Sequence, residues 1–96
     1  MDFTSYDLRI ATVVEAEAEG DALHLTVDLG GVQREAVARI TENYGPETLV
    51  GEQVVVVTNP GGSSSGEVIV LAAVSPSQGA VLLRPDRPVA SGIQVV

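Results

Sequence analysis

A chain of 96 residues, 45% of them hydrophobic, has the size of one domain and enough apolar mass for a core, and the absence of cysteine excludes disulfides, thiolate nucleophiles and zinc–sulfur sites together. The formal net charge is −8 with a pI near 4.2, and all five basic residues are arginine. This balance excludes a basic nucleic-acid stripe and points to the cytosol of a salt-in halophile, where a Debye length of about 3 Å screens repulsion among carboxylates.

Taken in chain order, the opening residues are acidic and polar rather than basic then apolar, so no secretory leader is expected. Apolar runs such as residues 54–57 are too short to span a bilayer, and the expectation is a soluble, cytoplasmic protein that meets no membrane. Period-two alternation dominates and helical periodicity is weak. Residues 8–17 are rich in β-branched side chains and place Glu15 and Glu17 on one outward face; residues 18–21 are expected as a loop. Next, Leu23, Leu25, Val27 and Leu29 alternate with His24, Thr26 and Asp28, the pattern of a half-buried strand. Gly30 and Gly31 suit a tight hairpin turn, and the return strand is predicted over 32–40. One or two helical turns are predicted within 41–49, with Pro46 at the first helical position, Glu47 beside it and Gly51 as the stop.

The valines of segment 53–58 suit a strand covered on both faces. Residues 59–66 (Asn59-Pro60-Gly61-Gly62-Ser63-Ser64-Ser65-Gly66) form a loop without an anchoring side chain. Further strands are predicted over 68–74, 80–83 and 93–96. Short strands with one short helix between the third and fourth define an all-β chain. Its element order is that of a five-stranded OB-fold barrel with extra C-terminal strands, residues 1–96 forming a single domain; a small β-sandwich is the alternative.

The residues give no chemistry. His24, the sole histidine, sits on the polar face of its strand, while the serines cluster in the 63–65 loop and no G-x-S-x-G elbow occurs. Glu15, Glu17, Glu19 and Asp21 form an acidic run without the fixed ligand spacing and sharp glycine of a calcium loop. Gly61-Gly62 lacks the lysine and following helix of a phosphate loop. The expectation is no enzyme, no metal and no cofactor. Three aromatics, Phe3, Tyr6 and Tyr44, are too few for a stacking platform. From the residues alone the chain reads as an acidic binding module.

Several segments extend that reading. Residues 6–10 (YDLRI) with 13–17 (VVEAE), then 38–44 (ARITENY), 46–51 (PETLVG) and 54–60 (VVVVTNP), resemble the tRNA-binding OB domain. That domain is found appended to methionyl- and phenylalanyl-tRNA synthetases and as free homodimers. Residues 67–74 (EVIVLAAV) and 81–88 (VLLRPDRP) are similar to its CsaA-like branch, the export-related chaperones. The resemblance runs in order along nearly the whole chain. It implies a non-catalytic homodimer that binds tRNA or structured RNA by shape, or alternatively one that holds unfolded or export-bound polypeptides, or a protein-interaction module assisting a tRNA synthetase. Candidate RNA contacts are Arg9, Arg34, Arg39 and Asn59, with His24 where relatives tend to carry a lysine. Ser65 is the last, a stand-in for the serine that often precedes the glutamate and is here Gly66. Arg9 and Arg87 can instead pair with Asp7 and Asp86, at about 0–1 kcal/mol each. Departures concentrate in two loops: 18–21 is short and acidic where relatives are basic, and 61–65 is trimmed to glycine and serine. The final strand lacks a charged or proline guard, so Ile93, Val95 and Val96 are candidate dimer-interface residues.

Overall fold

The computed structural model describes residues 5–62 and 66–96. Alternating apolar side chains build three strands in succession: β1 (Leu8–Glu19), β2 (Ala22–Asp28) and β3 (Gln33–Ala38). A one-turn helix α1 (Pro46–Leu49) follows, then β4 (Gln53–Val57), β5 (Ile69–Val70), β6 (Ala72–Ser75), β7 (Gly79–Leu82) and β8 (Gln94–Val95). The main sheet runs β3-β2-β1-β4-β5, with β8 added on β1 and β6-β7 forming a separate hairpin. All ladders are antiparallel, and an isolated parallel bridge between Ala36 and Val68 brings β3 against the approach to β5. There the Val68 N–H donates to the Glu35 carbonyl at 2.9 Å. This curled sheet with its single short helix is the OB-type barrel that the sequence pattern predicts.

β1 does the largest share of the pairing because it is bent. Its first half pairs with β4 and its second with β2, and a bulge between Val13 and Glu15 re-aims the chain between them. Beyond the bulge Ala16 and Ala18 oppose Leu25 and Leu23 on the inner face, leaving Glu15 and Glu17 outward beside Thr26 and His24. The core gathers Val13, Leu23, Leu25, Val27, Val54 and Val56, all fully buried, and α1 adds Leu49. Burying a leucine or valine stabilises the fold by about 1.5–3 kcal/mol each. Pro46 opens the helix and Gly51, at φ +91°, lets the chain turn into β4.

Four expectations are adjusted. Residues 18–21 are not all loop: Ala18 and Glu19 pair with Leu23 and Ala22, and only Gly20 and Asp21 turn. The strand expected over 68–74 breaks at Leu71, where its N–H donates to the Val55 carbonyl and Val55 in turn donates to Leu83. That exchange moves the chain from β5 into the β6-β7 hairpin. On β4, Val54 and Val56 are fully buried, but Val55 and Val57 only half so. The strand expected over 93–96 is cut to Gln94–Val95, where Leu8 pairs with Val95 and Arg9 with Gln94.

The C-terminal segment straps the barrel's outside. The Gln53 side-chain amide binds Val89 at both its N–H and its carbonyl (3.0 and 2.7 Å), and the Thr12 and Ser91 hydroxyls meet at 2.7 Å. Gly92, at φ +89°, lies so close that a Cβ there would collide with the Leu29 carbonyl, and one on Gly30 would lie 2.7 Å from the Ser91 carbonyl oxygen. Backbone thus packs on backbone where the β2–β3 turn meets the strap. Among the described residues no helix is long and apolar enough to cross a membrane.

Candidate nucleic-acid interface

The outer face of β1-β2-β3 is a shallow hollow of about 590 Å³. Strand register fixes its rows: Glu15, Thr26 and Glu35 in one, Glu17, His24 and Val37 in the next. Glu19 and Glu67 also line it, with Val14 and Val50 among the apolar residues, so five carboxylates face one imidazole. His24 is half-exposed, its Nε2 lying 3.6 Å from Glu19 Oε2. Its cross-strand neighbours are Glu17 and Val37. Among the described residues no group of three or more histidines or carboxylates is gathered to hold a metal ion.

The remaining sequence candidates fall elsewhere. Arg39 is exposed and its Nη1 lies 2.9 Å from both carboxylate oxygens of Asp21, across the β1–β2 turn. Arg34 faces inward at the barrel end opposite Val27, where its Nε donates to the Gly66 carbonyl at 2.7 Å and its Nη2 to the Thr58 carbonyl at 3.0 Å. Arg9 donates from Nε to Asp7 at 3.1 Å and from Nη1 to the Gly92 carbonyl at 3.0 Å. Asn59 accepts from the Asp7 N–H at 2.8 Å and donates to the Ser5 carbonyl at 3.1 Å. Ser65 lies outside the described residues. Arg9, Arg34 and Asn59 therefore converge on the end of β4, around Thr58 and Asp7, and each also bonds a backbone group, Arg9 that of Gly92. His24 and Arg39 belong to the other end of β2 and β3.

Asp7 is the hub of that network. It accepts from the hydroxyl of buried Thr58 and from Arg9, and those two interactions, Thr58 first, hold its carboxyl below the usual value of 3.8. Asp7 carries no sequence signal beyond its spacing from Arg9, because its other partner is fifty-one residues away. The expected Arg9–Asp7 and Arg87–Asp86 pairs are present, at 3.1 and 3.5 Å. A second, smaller hollow of about 360 Å³ lies between the start of β4 and residues 84–88, and both Arg84 and Arg87 line it.

Comparison with known proteins places these features. Residues 8–94 match the family model described as "Putative tRNA binding domain". The chain is 42% identical over 96 residues to the methionine–tRNA ligase of Methanococcoides burtonii, covering 90% of this chain and 14% of the ligase. It is 51% identical over 61 residues to that of Thermotoga maritima, covering 60% of this chain and 10% of the ligase. The chain thus spans about one seventh or less of these relatives. Among solved structures, the chaperone CsaA of Bacillus anthracis superposes with a TM-score of 0.88 at 35% identity, covering 99% of this chain and 94% of that one. The CsaA chaperone protein of Picrophilus torridus superposes with a TM-score of 0.80 at 28% identity, covering 99% and 95%.

Proposed function

The chain belongs to the tRNA-binding domain family, and on that footing we propose that it is a non-catalytic tRNA-binding protein of the CsaA-like type, a single domain over residues 1–96 acting as a homodimer in a salt-rich cytoplasm. The observation that carries the reading is the family match along 8–94 on a barrel of the CsaA shape. The family's ligand is a folded RNA, and such ligands are read largely by shape and backbone contacts. Near molar salt the long-range repulsion of a −8 protein is screened within about 3 Å, which leaves direct contacts to set affinity. The test is filter binding of unfractionated tRNA at molar potassium chloride. Micromolar or tighter retention is expected; no retention across a wide salt range overturns the reading.

Homodimer formation is supported by one apolar row. Val95, Leu8, Val57 and Ile69 are in register across β8, β1, β4 and β5 on the barrel's outside. Ile69 is 50% exposed and Ile93, beside β8, 48%. Among the described residues no strand pairs with the second edge of β8, and a two-fold axis would cover it. Light scattering at working salt should give twice the 9.9 kDa chain mass; a monomer removes the proposal. The same row favours a second reading, a dimer that holds apolar segments of unfolded polypeptides, in keeping with the chaperone name of the two CsaA relatives. A stoichiometric amount of dimer should then suppress aggregation of an unfolded client, and a client that aggregates unchanged rejects it.

A further inference from the structure

We infer that the hollow between the start of β4 and residues 84–88 is where this protein grips RNA phosphates, with Arg84 and Arg87 as the contacts; this rests on the tRNA-binding reading above. Phosphate contact needs a cation whose donors are not committed to the fold. Two of the five arginines fail that condition, and a third is badly placed. Arg34 gives its donors to two backbone carbonyls at the barrel end, and Arg9 is shared between Asp7 and the Gly92 carbonyl. Arg39 is held by both oxygens of Asp21, beside the carboxylate-lined hollow that would repel a phosphate.

Arg84 and Arg87 differ in where they stand, together on one hollow. Among the described residues Arg84, like Arg39, engages only Nη1, at 2.7 Å from Glu52 Oε1, and the rest of its donor fork stays available. Arg87 is 82% exposed and meets Asp86 only at 3.5 Å, a contact that water or a phosphate displaces readily. Both line the same hollow with Gln53, and its two carboxylates, Glu52 and Asp86, are the ones these arginines pair with, so charge there balances where the other hollow gathers five carboxylates. Their segment is pre-set: Pro85 and Pro88 fix φ, and the two Gln53–Val89 hydrogen bonds clamp its far end to β4. Little freedom is left to lose on binding, which favours affinity. Three residues of extended chain span at most about 10 Å, so both guanidiniums reach one stretch of RNA backbone. Arginine presents the planar fork that phosphate oxygens accept bidentately.

The test compares wild type, Arg84→Gln/Arg87→Gln, Arg87→Gln alone and Arg39→Gln in filter binding of unfractionated tRNA over a potassium chloride series. The double variant should lose on the order of tenfold or more in affinity, and its plot of log K against log salt should be less steep by about 1.4–1.8, at 0.7–0.9 per lost phosphate contact. Arg87→Gln, at an exposed side chain that leaves the fold intact, should show about half the change in slope. Arg39→Gln should bind within about twofold of wild type. If wild type is retained and the double variant binds equally with an unchanged slope, the inference fails while the tRNA reading stands. An equal loss in Arg39→Gln also overturns it, by placing the contacts elsewhere. If wild type is not retained at any salt, both fall.

Discussion

Asp7 and Gly92 show how single residues hold distant segments together. Asp7 joins the entry to β1, the end of β4 and, through Arg9, the C-terminal strap. Because its folded pKa is lowered, the stability it contributes is present above 3.8, its ordinary value, and is lost as pH falls through the folded value. Wild type should therefore lose stability below about pH 4 more steeply than Asp7→Asn in acid denaturation. At neutral pH the variant should be less stable by about 1–3 kcal/mol, since buried Thr58 loses a charged acceptor. Equal acid profiles for the two proteins would refute this role. Gly92 acts by having no side chain. Its positive φ and its approach to the Leu29 carbonyl leave no room for a methyl group. Gly92→Ala should destabilise the protein by about 2–4 kcal/mol in thermal or denaturant unfolding, strain and displacement together. A change below about 0.5 kcal/mol would show that the strap moves aside easily.

At the scale of elements, closure between β3 and the approach to β5 rests, among the described residues, on one bridge, made by the Val68 N–H on the Glu35 carbonyl, and on Arg34, which collects the Gly66 and Thr58 carbonyls. Arg34→Gln should destabilise by about 1–3 kcal/mol and speed hydrogen exchange at the Val68 amide, which bonds across that seam. Unchanged exchange there would place the seam's strength elsewhere. Local pattern carried the elements whose faces differ in polarity. Leu23, Leu25 and Val27 against His24 and Thr26 announce β2, and Gly30-Gly31 announces its turn. The break at Leu71 was illegible, because residues 68–74 are apolar throughout and the interruption is made by Val55 and Leu83 reaching in from other strands. Ala18 and Glu19 extend β1 although acidic and small residues favour turns, since pairing with β2 outweighs propensity. The candidate site was less legible still. Which arginines the fold consumes is decided by backbone carbonyls tens of residues away, and no spacing rule reports them. The Arg84–Arg87 pair did have a local signature, two arginines three apart, each followed by a proline.

Across the whole molecule, thirteen acidic residues against five arginines spread over a body 31 × 30 × 27 Å across. Five of the carboxylates crowd one face, where Glu15, Glu17, Glu19, Glu35 and Glu67 share a single hollow. At about 0.1 M salt the Debye length of about 10 Å lets charges on that face repel one another; at about 1 M it is about 3 Å and they scarcely interact. Melting temperature should therefore rise as potassium chloride goes from about 0.1 M to about 1 M, and more than for a variant with Glu15, Glu17 and Glu35 changed to glutamine. A flat or falling trend in wild type would deny the salt adaptation that its composition suggests.

β1 sets the order in which the molecule can be born. Its residues 8–10 hydrogen-bond to β4 on one side and to residues 92–95 on the other. During synthesis the first strand leaves the ribosome long before its last partner exists. Until then the Leu8–Ile10 edge stands open beside an apolar surface, and the nascent chain is a template for stray strands. Ribosome-bound chains stalled before residue 92 should accordingly be the state most in need of a guardian.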